Sequence, residues 1–343
     1  MKKIWSICAA RVLPVVLGAA LLVSGPVDTS SAGSVTQGRL SVCGVSLCRS
    51  GHTWQLYLAA VYGGLDNPAG TVAQAKAVGL NAIRITDFLD TNASPSAGPL
   101  DESRWVKVDR LIAAASAAHL LVELDFSTYR NLLQNAGKNP YTVDWHPFLA
   151  SVANRYNTVT GIRYGNDPTI GLVSFAGEVD AINGGGNTYG LTAASLLAFY
   201  RNVLAYWHHL APNQLETAGG LYQLDWNSGI PWQAIFRLPY NDVNALHVYG
   251  PGDRSTTVPM VSAFSKAGNE PWIIEEFGFD SSLGDSARAA GFAGTFALAR
   301  QYGAAGTGFW NLGTQTIDTH DVGPQFPQLM AVVKAHPSGY FAR

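Results

Sequence analysis

The stretch Pro271-Trp272-Ile273-Ile274-Glu275-Glu276-Phe277-Gly278 sets three consecutive apolar residues against a pair of carboxylates. A strand with one wet face alternates apolar and polar residues. An unbroken apolar run instead suits a parallel sheet covered on both faces. Working outward, short runs of the same kind recur at Gln55–Tyr62, Ala82–Thr86, Leu120–Asp125, Ile170–Phe175, Leu215–Ala218, Ala245–Val248 and Gly308–Trp310. With Trp272–Glu275 they make eight. Longer stretches with helical spacing separate them, among them Glu102–Ala118, Leu191–Leu210, Ser286–Tyr302 and Phe326–Ala335. Leu196, Phe199, Tyr200, Val203 and Trp207 fall on one face of the second of these, which must pack on something apolar. Eight strand–helix alternations fit a closed (β/α)8 barrel, the TIM barrel of the α/β class, better than an open doubly wound sheet. One barrel domain is expected over residues 33–343, with residues 33–50 capping its lower end or running along its side.

Composition narrows the function. Of 343 residues, 47% are hydrophobic and only 13% charged, and the formal net charge is −2. A disordered chain needs high charge and few aromatics, and this chain has 9 Trp, 14 Tyr and 14 Phe. Nucleic-acid binding needs a basic excess to neutralise phosphates, and none exists. No Gly-x-Gly-x-x-Gly follows the first strand, which argues against a dinucleotide cofactor. That strand reads Leu58-Ala59-Ala60-Val61 with no His-x-His pair, so a metal-dependent barrel hydrolase is a weak alternative. No cofactor or metal is expected.

The N-terminus reads as an export signal. Lys2, Lys3 and Arg11 precede the apolar run Val12–Val23, which is shorter than the ~20 residues a bilayer span requires. Ser30-Ser31-Ala32 fits a signal-peptidase site. Residues 1–32 are expected to be a signal peptide, and an uncut anchor is the alternative. Their removal takes three basic residues and one acidic residue from totals of 22 and 24, leaving a net charge of −4. The mature chain is expected to be secreted, monomeric and not stably inserted in a membrane. Cys43 and Cys48 then remain as an even pair on a Gly- and Ser-containing segment. In an oxidising compartment they can close a small disulfide loop, the alternative being two buried thiols.

In a barrel of this kind the reactive groups project from the C-terminal ends of the strands. The fourth strand is followed by Gly177-Glu178, and the seventh ends in Glu275-Glu276. The sixth carries His247 and Tyr249, the second Arg84, and the eighth Trp310. Two carboxylates facing each other across a barrel mouth suit glycoside hydrolysis, in which one protonates the leaving oxygen and the other attacks the anomeric carbon. Aromatic rings at the same mouth offer flat surfaces to sugar rings, and a near-neutral protein suits a neutral glycan.

The seventh-strand stretch resembles the signature of glycoside hydrolase family 5 (cellulase- and β-mannanase-like) and its clan of retaining (β/α)8 glycosidases: Pro, apolar positions, then Glu-aromatic-Gly. The resemblance spans Trp54 to about Ala335. It implies that Glu276 is the nucleophile and Glu178 the acid/base. It also implies that Arg84 supports the nucleophile, that His247 and Tyr249 are the sixth-strand His-x-Tyr, and that Trp310 is a sugar platform. Alternation along a strand adds that Glu275 and Glu276 must point opposite ways, so that only one faces the site. The acid/base role calls for a carboxyl pKa above the ~4.3 of free Glu. Asp225, Trp226, Asp87, Phe88 and Asn311 are further candidates for substrate contact.

Two departures stand out. The clan's Asn before the acid/base, which binds the sugar 2-OH, is here Gly177, and the usual third-strand His is replaced by Asp125-Phe126-Ser127. The expected activity is retaining hydrolysis of a β-linked glucan or mannan. The alternative is a barrel that binds carbohydrate or cell-wall polymer with weak or no hydrolysis.

Overall fold

The computed structural model describes residues 38–88, 101–183, 186–224, 226–313 and 319–340; the expected signal peptide lies outside them. A small antiparallel sheet comes first: β1 (Leu40–Cys43), β2 (Ser46–Arg49) and β3 (His52–Trp54). Cys43 and Cys48 are joined by a disulfide with Cα atoms 5.9 Å apart.

Eight parallel strands follow: β4 (Leu56–Ala59), β5 (Ala82–Ile85), β6 (Leu121–Asp125), β7 (Ile170–Ser174), β8 (Leu215–Thr217), β9 (Asn244–His247), β10 (Trp272–Glu276) and β11 (Gly306–Phe309). They form two four-stranded sheets, β5-β6-β7-β8 and β4-β11-β10-β9. Parallel bridges Ala60↔Arg84 and Leu221↔Leu246 join the sheets at both seams and close the barrel. Helices α1 (Pro68–Ala77), α2 (Glu102–Ala117), α3 (Ser127–Asn135), α4 (His146–Asn154), α5 (Ala193–Leu210), α6 (Trp232–Phe236), α7 (Val258–Gly268), α8 (Asp285–Tyr302) and α9 (Pro327–Tyr340) cover the outside.

The eighth strand begins two residues before the expected Gly308. An added Cβ at Gly306 would sit 2.8 Å from Leu56 Cβ, and one at Gly308 would sit 2.2 Å from Glu275 O. Glycine is needed inside this strand because neighbouring backbones approach it closely, and glycines obscure a strand read from β-branched residues.

Alternation sorts side chains between two cores. Outward-facing Ile83, Leu124, Ile274 and Phe309 pack under the helices, together with buried Trp105 and Trp207. Inward-facing Leu56, Leu58, Ala82, Leu121 and Ile273 fill the lower barrel, and Leu40 and Leu47 of the antiparallel sheet close it from below. Of the two placements expected for the N-terminal segment, capping is the one formed. This bottom half is apolar and the polar chemistry lies above it. Among the described residues, no helix is long and apolar enough to cross a membrane.

Among the described residues, one outward-facing strand position carries a carboxylic acid. Glu216 on β8 is fully buried, and neither carboxyl oxygen has a hydrogen-bond partner; His208 Nδ1 lies 3.3 Å from Oε1. Burial, and then the charge of Asp242, pushes its pKa up to about 10. The folded chain therefore holds a proton that the unfolded chain sheds above about pH 4–5. This group's stabilisation is complete below that pH and is lost as pH rises toward 10. In urea unfolding between pH 5 and 9, Glu216→Gln is expected to lose less stability than the wild type as pH rises. Parallel pH slopes would contradict the assignment.

Candidate active site

Above the apolar layer, the next inward positions are Arg84, Glu123, Asp125, His247 and Glu275, none more than 3% exposed. A guanidinium stripped of water must be matched by carboxylates. Arg84 Nη2 lies 2.5 Å from Asp125 Oδ2 and 3.6 Å from Glu275 Oε2, and Nε lies 3.7 Å from Glu123 Oε1. Nη1 donates to Glu276 Oε2. Burial alone would lower the Arg84 pKa, but the charges of Asp125, Glu275, Glu276 and Glu123 outweigh it and raise it. Glu123 responds oppositely: burial, then the nearby charge of Glu275, raises its pKa well above the carboxylate range, so it stays protonated.

Both carboxylates of β10 face this cluster, which overturns the expectation that only one can. Ile273 points into the barrel, Ile274 toward the helices and Glu275 inward again. Strict alternation would send Glu276 outward. Instead the register slips: Ile274 opposes Leu246 of β9, and Glu276 opposes the very next residue, His247. This irregularity re-aims Glu276 at the mouth. There its Oε1 accepts a 2.6 Å hydrogen bond from the Tyr249 hydroxyl. Burial, followed by the charge of Glu276 and this hydrogen bond, raises the Tyr249 pKa and keeps the phenol protonated.

Glu178 approaches from the opposite side. Its backbone is left-handed (φ 55°), a conformation that costs a residue with a Cβ about 1–2 kcal/mol. Two hydrogen bonds hold it: its N–H donates to Gly220 O at 2.9 Å, and its C=O accepts from Arg130 Nη1 at 2.9 Å. Strain of this kind collects at functional positions. Glu178 Oε1 lies 2.8 Å from His247 Nδ1, and its side chain is 37% exposed at the mouth. Burial alone would raise its pKa, but the hydrogen bond and charge of His247 outweigh burial and bring it down to about 2. The expected raised carboxyl is thus overturned for the free protein, where Glu178 is ionised against a charged imidazole.

The departure at Gly177 has a steric cause. A Cβ there would lie 2.9 Å from Gly220 N, and one on Gly220 would lie 1.8 Å from His247 Cδ2. The ends of β7 and β8 meet backbone to backbone, and no side chain fits between them. The Asp125 departure is explained by Arg84: Asp125 binds the guanidinium and also accepts from Ser127 N and Oγ, each at 2.8 Å.

Trp310 is partly exposed, its ring 5.7 Å from that of Tyr62, and Tyr62 and Trp226 are 40% and 44% exposed. Other candidates serve the framework. Phe88 is core, Asp87 accepts from Gly63 N, and Asn311 accepts from Tyr62 N while donating to Asp321. Asp225 lies outside the described residues.

Sequence reasoning missed Glu123 and rejected Glu275. Glu123 and Asp125 lie two apart on one strand and so share a face, a signal that was present in the sequence. Among the described residues, Glu178, His247 and Glu276 place one ligand-type atom each within 4.8 Å of one another. Those groups are already engaged by Arg84, Tyr249 and each other.

No family model and no curated protein matches the sequence. Solved structures do. The chain is similar to the endo-1,4-β-mannanase from Rhizomucor miehei, with TM-score 0.73 and 18% identity over 88% of this chain and 99% of that one. The endo-β-1,4-mannanase from Thermotoga petrophila gives 0.67 and 16% over 84% and 78%. The catalytic domain of the major endoglucanase from Xanthomonas campestris pv. campestris gives 0.57 and 18% over 88% and 98%. The chain is a single (β/α)8 barrel. At these identities the likeness establishes the fold, and activity has to be argued from the site.

Arg84→Met keeps most of the apolar stem but removes the charge that the carboxylates share. Urea unfolding at pH 7 is expected to show a loss of about 3–5 kcal/mol, the cost of stranding buried charge. The loss should shrink at pH 4, where more of the carboxylates are neutral. An unchanged midpoint at pH 7 would contradict the cluster's role.

Proposed function

We propose that this chain is a secreted retaining glycoside hydrolase, similar to family 5, that cleaves the O-glycosidic bonds of a β-mannan or β-glucan. The observation that carries this reading is the pairing of Glu178 and Glu276 at the mouth, with one carboxyl oxygen of each within 4.8 Å of the other. Retaining enzymes hold their carboxyls ~5–5.5 Å apart, whereas inverting ones need ~6.5–9.5 Å to admit a water.

Glu276 attacks the anomeric carbon. Arg84 and the Tyr249 hydroxyl hold its two oxygens in place, so the attacking group is oriented before substrate arrives. Glu178 protonates the leaving oxygen, and a covalent glycosyl-enzyme forms on Glu276. Glu178 then takes a proton from water, which displaces the sugar with net retention. Trp310 and Tyr62 form an aromatic wall against which a sugar ring can stack, and the near-neutral surface suits an uncharged glycan. Mannan and glucan are favoured because the similar barrels are mannanases and an endoglucanase. The composition of residues 1–32 supports export, and the mature chain is taken to act as a monomer.

Gly177 favours a second reading, a barrel that binds glycan with little turnover, because no side chain there can hold the sugar 2-OH. The purified protein should be screened against β-mannans, β-glucans and their aryl glycosides. Hydrolysis with product released first as the β-anomer in ¹H NMR is the expected result. Glu276→Ala should cut kcat on the order of 10⁴-fold or more, with partial rescue by azide or formate. Glycan binding without turnover on the panel would favour the second reading.

A further inference from the structure

The imidazole of His247 is clamped between two carboxylates on different strands. Nδ1 lies 2.8 Å from Glu178 Oε1 and Nε2 lies 2.8 Å from Glu275 Oε2. An ionised carboxylate only accepts hydrogen bonds, and a neutral imidazole donates from one nitrogen alone. Two hydrogen bonds therefore require two protons among these three groups. Either the ring holds both, or the ring keeps one and a carboxyl takes the other.

The two ends of the clamp differ. Glu275 is buried, and its Oε2 also accepts from Gly220 N at 2.8 Å and lies 3.6 Å from Arg84 Nη2. Burial alone would protonate Glu275, but the charge of Arg84 and the hydrogen bond from His247 outweigh it and keep the carboxylate ionised. Glu178, by contrast, reaches the mouth. The Nε2 proton is thus fixed, and the Nδ1 proton is the one able to move.

We propose that His247 stores the proton that Glu178 delivers to the leaving oxygen, and that Glu275 is the positioning residue that fixes the ring's tautomer and charge. This rests on the reading of Glu178 as acid/base. The Nδ1–H bond breaks and an O–H bond forms on Glu178 Oε1, which turns imidazolium and carboxylate into neutral imidazole and carboxylic acid. Nε2–H still donates to Glu275, so the ring keeps its place. Rotation of the Glu178 carboxyl presents the O–H to the glycosidic oxygen. In the second half of the reaction Glu178 takes a proton from water and returns it to Nδ1. The assignment accounts for a general acid that is ionised in the free protein.

Other groups around the ring set its charge. Glu276 Oε1 lies 3.7 Å from Nδ1, and the Arg84 Nη2 cation lies 3.5 Å from Nε2. Burial and Arg84 disfavour the imidazolium. The charge of Glu276 and the hydrogen bonds to Glu178 and Glu275 outweigh burial and bring the His247 pKa up to about 10. The clamp also depends on Gly220, where a Cβ would lie 2.7 Å from Glu275 Oε2 as well as against the His247 ring.

Glu275→Gln tests the assignment, since the amide oxygen can still accept from Nε2–H but the charge is gone. With phenyl and 2,4-dinitrophenyl β-glycosides of the sugar identified by the screen, the variant should lose at least about tenfold more kcat/KM on the phenyl substrate, whose leaving group needs the proton. The alkaline limb of its kcat/KM profile should move to lower pH by about one unit or more. Equal losses on both substrates, or an unmoved limb, would overturn the proposal. Glu178→Ala serves as the control. If it shows the same leaving-group dependence, the acid/base reading stands and Glu275→Gln alone decides. If it does not, that reading falls and the storage role falls with it. ¹⁵N NMR of the ring in the wild type gives an answer even if the variant fails to fold: both nitrogens of His247 should be protonated at pH 7, and a neutral ring would overturn the proposal.

Discussion

One buried guanidinium organises the upper half of this barrel. Arg84 is 2% exposed and has four carboxylates within 4.0 Å, from Asp125, Glu123, Glu275 and Glu276. Without them a buried cation would be left uncompensated, and without the cation several buried carboxylates would have to take up protons. The set is self-consistent only with some of its members neutral, and burial together with the charge of Glu275 drives Glu123 in that direction. What remains is an oriented Glu276 carboxyl at the rim, with its oxygens held by Arg84 and Tyr249.

The second constraint is steric. Placing Glu275, Glu276, His247 and Glu178 within hydrogen-bonding reach requires three strand ends to come closer than side chains allow. The chain meets this with a register slip in β10 and with Gly177, Gly219 and Gly220. Gly219 has φ 102°, and a Cβ on it would lie 2.6 Å from Gly177 N. The glycine at position 177 and the clamping of His247 are therefore two results of one close approach. Room that would have held an amide side chain is taken by the Gly219-Gly220 backbone, whose N–H and C=O at Gly220 bind Glu275 and Glu178.

The barrel was legible because its strands are short apolar runs at regular spacing, and burial on both faces leaves that pattern uninterrupted. The eighth strand was read two residues late because glycines occupy the positions where Leu56 and Glu275 come too close for a Cβ. Strand-end logic and family resemblance brought Glu178, Glu276, Arg84, His247 and Tyr249 into one cluster, since residues at strand C-termini share a rim. Glu275 was rejected because alternation assumes an unbroken ladder, and a bulge is a pairing event that one strand's sequence does not display. The ionised state of Glu178 was also beyond reach. It depends on a 2.8 Å contact with a histidine 69 positions away, and no local pattern encodes that distance.

The central claim is that the irregular end of β10 delivers Glu276, and not its neighbour Glu275, as the group that bonds to the sugar. Incubating the protein with a 2-deoxy-2-fluoro-β-glycosyl fluoride of the preferred sugar, followed by peptide mass spectrometry, tests it most directly. The predicted result is a single glycosyl adduct on Glu276. An adduct on Glu275 or Glu178, or hydrolysis with inversion and no adduct, would contradict the account.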